Sequence, residues 1–127
     1  MNRCGFTLIE LLLVVVIIGI LTAIAIPKFT STKGKAYIAT MKSDLKNFAG
    51  AQESYYYDNS LYYNGPVPNA AIPFSPSSGV TITVLSADVG GWSATASFAG
   101  MANICAMFVG GAAPPAPATV EGSPACT

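Results

Sequence analysis

Histidine is absent from this chain of 127 residues, and only three cysteines occur, Cys4, Cys105 and Cys126. Without histidine, a CxxC pair or paired carboxylates in the region that folds, there is no zinc donor set and no constellation for acid–base or metal-assisted chemistry. A glycine-rich phosphate loop is also missing, which removes phosphoryl transfer. Charge is scarce: Asp, Glu, Lys and Arg make up 9% of the residues against 52% hydrophobic. Part of that apolar content must therefore face lipid or a partner. Arg3, Lys28, Lys33, Lys35, Lys42 and Lys46 are all the basic residues, so everything beyond Lys46 is weakly acidic and offers no basic surface for nucleic acid. No catalytic residue, metal, cofactor or nucleic-acid site is expected, and the length suits about one domain with a modest core.

What is present starts with a short polar stretch, MNRCG, followed at once by FTLIELLLVVVIIGILTAIAIP. Between residues 6 and 26 only Thr7, Glu10, Gly19 and Thr22 are not aliphatic, aromatic or alanine. As a helix the run measures about 31 Å, the thickness of a bilayer's hydrocarbon core, and predicts a single membrane-spanning segment. An ordinary secretory signal has a longer charged start, a shorter apolar stretch and a small-x-small cleavage site at its far end; Ala23 and Ala25 supply only a weak version of that site. A lipoprotein signal fits less well still, because Cys4 precedes the apolar run.

Beyond Pro27 the apolar residues become periodic. Ile38, Met41, Leu45, Phe48, Gln52 and Tyr55 recur three or four apart, while Lys35, Lys42, Lys46 and Glu53 share another side of the wheel. That spacing predicts an amphipathic helix, stopped near Asp58, Asn59 and Ser60. Unbroken from residue 6 to 57, the helix would be about 78 Å long. Residues 61–78 hold four prolines and read as a long connecting loop. Strand patterns follow at 80–85 (VTITVL), 92–98 (WSATASF) and 104–109 (ICAMFV), separated at hairpin-like distances. The expected fold class is α+β: one long N-terminal helix packed by its amphipathic half on a small antiparallel sheet of about three to four strands. The tail after residue 109 is rich in Gly, Pro and Ala and is expected to be an irregular surface loop. If Cys105 and Cys126 were joined, the closed loop would stabilise the fold by about 3 kcal/mol; the alternative is two buried free thiols. Tyr55, Tyr56, Tyr57, Tyr62 and Tyr63 form an aromatic cluster, read first as helix–sheet packing and loop covering, with adhesive patches or electron-conducting stacks as the other readings.

Glu10 does not belong in a plain anchor. An ionisable group within an apolar span costs about 3 kcal/mol on insertion, which makes it a functional candidate whose partner must be named. The bland reading places it shallow enough to reach interfacial water.

The segment GFTLIELLLVVVIIGILTAIAIPKF strongly resembles the N-terminal signature of type IV pilins and the related pseudopilins, and KGKAYIATMKSDLKNFAGAQESYYYDN is more loosely similar to the amphipathic helix of type IVa pilins. The resemblance implies a leader at 1–5, cleavage by a prepilin peptidase between Gly5 and Phe6, and methylation of Phe6. It implies a membrane and assembly helix at 6–27, an amphipathic helix at 28–60 and a C-terminal β domain at 61–127 with a cysteine-bounded loop (Cys105, Cys126). Glu10 falls where the family's glutamate sits. Gly19 and Pro27 also match family positions and bracket a stretch where the helix is expected to bend or melt on assembly. Cys4 would leave with the leader.

Cleavage exposes an α-amino group, a cation below pH about 8. Amine and carboxylate lie more than a helical turn apart in one chain, but in a staggered bundle the amine of one copy meets Glu10 of the next and sets register. The implied partners are further copies of the chain, the prepilin peptidase, an inner-membrane assembly platform and, before assembly, lipid. The implied location is the inner membrane as a precursor, with the C-terminal domain outside the cytoplasm, then an extracellular filament serving adhesion, motility or DNA uptake. Charge alone argues the other way, since one cation precedes the anchor and Lys28, Lys33 and Lys35 follow it. The rival reading is a type II secretion pseudopilin that pushes cargo. The major pseudopilin pattern would place an acidic calcium-binding loop near the C-terminus, where this tail has only Glu121.

Overall fold

The structure, a computed structural model, describes residue 1 and residues 5–127; the expected leader therefore lies largely outside the described residues. Helix α1 runs Leu8–Asn59 and continues through Pro27. It ends where Ser60 turns left-handed at φ 59° and donates its N–H to Tyr56 O at 2.7 Å, while Asn59 Nδ2 covers the Tyr55 carbonyl at 2.9 Å. Together these close the last turn without the glycine that usually takes this conformation.

Contacts divide the chain into two units, Met1–Lys35 and Ala36–Thr127. In the first, residues 5–33 are all exposed. The second holds a four-stranded antiparallel sheet in the order β1-β2-β3-β4, with β1 Val80–Ala87, β2 Gly91–Phe98, β3 Ile104–Gly110 and β4 Ala125–Cys126. The α+β architecture and the three longer strands agree with the sequence patterns.

Within this second unit the helical stripe is buried against the sheet. Met41, Leu45 and Phe48 are fully inaccessible, as are Trp92, Ala94, Ala96 and Cys105 facing them. Phe48 meets the Trp92 ring edge-on at 5.3 Å and Phe74 of the connecting loop at 5.4 Å. Each such side chain contributes about 1.5–3 kcal/mol by leaving water. The other face of the sheet is not left open, because Ala106, Phe108 and Ala118 of the tail form a second small cluster. Coverage on both sides is why Cys105 through Phe108 are buried without alternation. At the β2–β3 edge the backbones approach so closely that a Cβ on Gly91 would collide with the Val109 carbonyl, and Gly110, at φ +70°, would collide with that of Gly90.

Polar ties fasten the loop over residues 61–78 at both ends. Gln52, fully buried, grips Tyr63 like a neighbouring strand, donating to its carbonyl at 2.9 Å and accepting its N–H at 2.8 Å. Asp44 is 4% exposed and accepts both the N–H and the hydroxyl of Ser77 at 2.8 Å. Removing a buried carboxylate that satisfies two donors leaves both without partners. Asp44→Ala should therefore lower stability by about 2 kcal/mol, read as a fall in melting temperature, with Asp44→Asn intermediate. An unchanged melt would show that Ser77 finds water instead.

The tyrosines divide in the same way. Tyr55 packs edge-on to Tyr63 at 5.4 Å and Tyr56 lies 4.6 Å from Tyr62, whereas Tyr57 is 88% exposed. The Tyr62 hydroxyl donates to Glu53 at 3.0 Å, and burial, then this carboxylate, push its phenol above the ordinary value. Four of the five thus join helix to loop.

Candidate assembly site

The N-terminal unit supplies one carboxylate amid a run of exposed apolar side chains. Phe6, Leu8 and Ile9 are each more than 70% exposed, and the residues through Ile26 remain bare on every side. A helix apolar all round does not belong on a water-exposed surface; it belongs in lipid or in a bundle of other helices. One window of α1 has a mean hydropathy of 3.0, well within the range of membrane spans.

Glu10 sits in the first turn of α1, and the chain before it folds back on it. Thr7 is the N-cap: its hydroxyl accepts the Glu10 N–H at 3.3 Å, and Glu10 Oε2 accepts the Thr7 N–H at 2.8 Å and the Thr7 hydroxyl at 2.7 Å. This is a reciprocal capping box. It satisfies two of the orphan donors at the helix start, and the carboxylate complements the positive end of the helix dipole. Both donors are neutral, and among the described residues no cation pairs with the carboxylate. The Thr7-x-x-Glu10 spacing ahead of an apolar run is itself a helix-start signal, and it points to Thr7, which the acid's place in an apolar span does not.

Further along, Gly19 has open space where a side chain would stand, so nothing within the chain requires glycine there. Pro27 cannot donate to the carbonyl four residues earlier. Threonines supply extra donors around it: Thr22 Oγ1 reaches the Ile18 and Gly19 carbonyls at 2.8 and 3.0 Å, Thr30 the Pro27 carbonyl at 2.9 Å, and Thr32 the Lys28 carbonyl at 3.0 Å. These back-bonds to the carbonyls three and four residues earlier compete with the backbone ladder on both sides of Pro27 and favour a local bend. At the other end of the chain Cys105 and Cys126 are joined as directly facing residues of β3 and β4. The chain thus brings Thr7 and Glu10 together, and Cys105 and Cys126 together, while Gly19 and Pro27 stand apart from both.

Comparison with known proteins bears on this arrangement. The prokaryotic N-terminal methylation motif matches residues 1–26. The type IV wide pilus major component PilA4 of Thermus thermophilus is 32% identical over 100 residues, covering 78% of this chain and 76% of that protein. The chain belongs to the type IV pilin family. Other relatives match the pilin over about half of its length. The type IV major pilin protein PilA of Myxococcus xanthus is 48% identical over 61 residues, 48% of this chain and 27% of that one. The type II secretion system core protein G of Pseudomonas aeruginosa is 45% identical over 61 residues, 48% of this chain and 43% of that one. The pilin spans less than half the length of these two relatives.

Proposed function

We propose that the chain is a structural subunit of a type IV pilus-like filament. It is cut by a prepilin peptidase between Gly5 and Phe6, methylated on Phe6, and drawn from the inner membrane by an assembly platform into an extracellular homopolymer. Residues 6–27 anchor the precursor in lipid and later pack in the filament core; residues 28–60 and 61–127 form the part outside the cytoplasm, closed by the Cys105–Cys126 bond. The observation that carries this reading is Glu10, a carboxylate whose partners among the described residues are neutral, in a segment exposed throughout. The amine of mature Phe6 on a neighbouring copy supplies the missing cation. An unpaired charge in a dry core costs several kcal/mol, so only a stagger that pairs the two is tolerated, and register follows. Apolar contact along residues 11–26 supplies the bulk of the association. Gly19 and Pro27 bracket the stretch that yields, because proline removes a backbone donor and glycine lowers helix propensity. Adhesion, motility and DNA uptake are the services such a filament renders, none of which needs catalysis by the subunit.

A second reading, a pseudopilin of a type II secretion system, draws on the likeness to core protein G over 61 residues. Against it, Glu121, the one acid of the tail, accepts the Gly110 N–H at 2.6 Å and so serves a structural bond. Electron microscopy of sheared surface material with N-terminal sequencing separates the two. Long fibres whose subunits start at methylated Phe6 are expected; processed subunits with no fibres outside the cell would favour the pseudopilus.

A further inference from the structure

Between Glu10 and Asp44 the chain has no acid, and its only charged residues there are Lys28, Lys33, Lys35 and Lys42, all exposed. Four of the five side-chain carboxylates of the C-terminal unit are engaged by neutral donors, Asp44 by Ser77, Glu53 by Tyr62, Asp88 by the Gly90 and Gly91 amides and Glu121 by the Gly110 amide; the fifth, Asp58, is exposed near the far end of the helix. Lys33 meets a ring instead of a carboxylate, its Nζ lying 4.8 Å from the centroid of Phe29, itself 63% exposed. Phe29 lines an open depression of about 350 Å³ with Ala25, Lys28 and Thr32. The hydroxyls of Thr30 and Thr32 are occupied by helix carbonyls, which leaves ammonium groups as the free donors there.

Depth along the helix says what meets them. The apolar run ends at Ile26, so Lys28, Lys33 and Lys35 stand about 3, 10 and 14 Å beyond it, while Lys42 stands about 24 Å beyond. Headgroups occupy roughly the first 5–8 Å outside the hydrocarbon, and side chains on a helix lean toward its N-terminus, here the membrane side. Long lysine stems shorten the remaining gap. Lys28 and Lys35, seven residues apart, also lie on one side of the helix.

We infer that Lys28, Lys33 and Lys35, with the Phe29 ring, form a docking surface for the phosphate headgroups of anionic phospholipids at the C-terminal end of the membrane span. This rests on the membrane-anchored reading of residues 6–27. The ligand is a lipid rather than free phosphate because the same patch continues into bare apolar helix, which only a molecule with acyl chains covers. Leaving the bilayer for a filament breaks these contacts, so the lysines hold the subunit in the membrane until assembly removes it.

The test uses the full chain reconstituted in phosphatidylcholine vesicles containing a minority of phosphatidylglycerol, with spin-labelled lipids reporting which headgroup borders the protein. At low salt phosphatidylglycerol should be enriched about fivefold over phosphatidylcholine, and the preference should fade as sodium chloride rises. The triple variant Lys28→Gln/Lys33→Gln/Lys35→Gln should lose it with helix content unchanged by circular dichroism, while Lys42→Gln/Lys46→Gln should retain it. Equal headgroup occupancy in the wild type, or full preference in the triple variant, overturns the inference. Abolition of the preference by millimolar inorganic phosphate assigns the patch to free anions and overturns it as well. A chain that fails to float with vesicles of either composition defeats the anchored reading itself.

Discussion

Glu10→Ala inserts into the membrane and is processed, but yields at least tenfold fewer fibres than the wild type. Removing the carboxylate eliminates an insertion cost of about 3 kcal/mol, so the precursor loses nothing on the way into the bilayer. The loss appears when copies associate. There the amine of one subunit enters the core with no anion to meet it, and breaking one side of a buried pair costs about 3–5 kcal/mol, more than a hundredfold in association at each interface. Glu10→Gln keeps the hydrogen-bonding shape that Thr7 engages but not the charge, and should assemble as poorly. The readout is the subunit recovered in sheared fibres relative to the membrane fraction. Wild-type yield from Glu10→Gln would assign the residue to the capping box alone.

Replacing both Cys105 and Cys126 with serine should lower stability by about 3 kcal/mol, a fall in melting temperature of roughly 15 °C for a unit of this size. The reason is how little else holds the tail. β4 has only two residues, and the other hydrogen bonds gather at two points: Thr127 with Asn103 and Ile104, and Glu121 and Gly122 with the Gly110 N–H at 2.6 Å and the Phe108 carbonyl at 2.9 Å. Once the tail detaches, Ala118 leaves Ala106 and Phe108, exposing the second face of the sheet. A melting temperature within a few degrees of the wild type would mean that the tail packs unaided.

The parts of the fold that could be read from the sequence are those set by local periodicity. The apolar run, the stripe from Met41 to Gln52 and the three long strands each repeat a signal over several residues, and burial follows it. β4 gave no such signal, because two residues carry no period; only the second cysteine hinted that the tail returns. Asp44 carries no signal of its role in the sequence, because its partner, Ser77, is 33 residues away and hydrogen bonds at that range leave no local pattern. The loop over residues 61–78 hid its contribution for the same reason: Ile72 is 1% exposed through contacts with a helix more than a dozen residues earlier. At the assembly site the balance reverses. Glu10 stands out in the sequence by its chemistry alone, and the geometry adds Thr7 as its intrachain partner. The intermolecular partner proposed for it belongs to another copy, which a single chain does not contain.

The pairing of that carboxylate with the cleaved terminus of a neighbour is the centre of the account, and a filament structure by electron cryomicroscopy measures it directly. The expected result is a Phe6 nitrogen of one subunit within about 4 Å of the Glu10 carboxylate of the next, repeated along the core. Fibres in which every Glu10 still closes on its own Thr7, with the neighbouring terminus more than about 8 Å away, would contradict it.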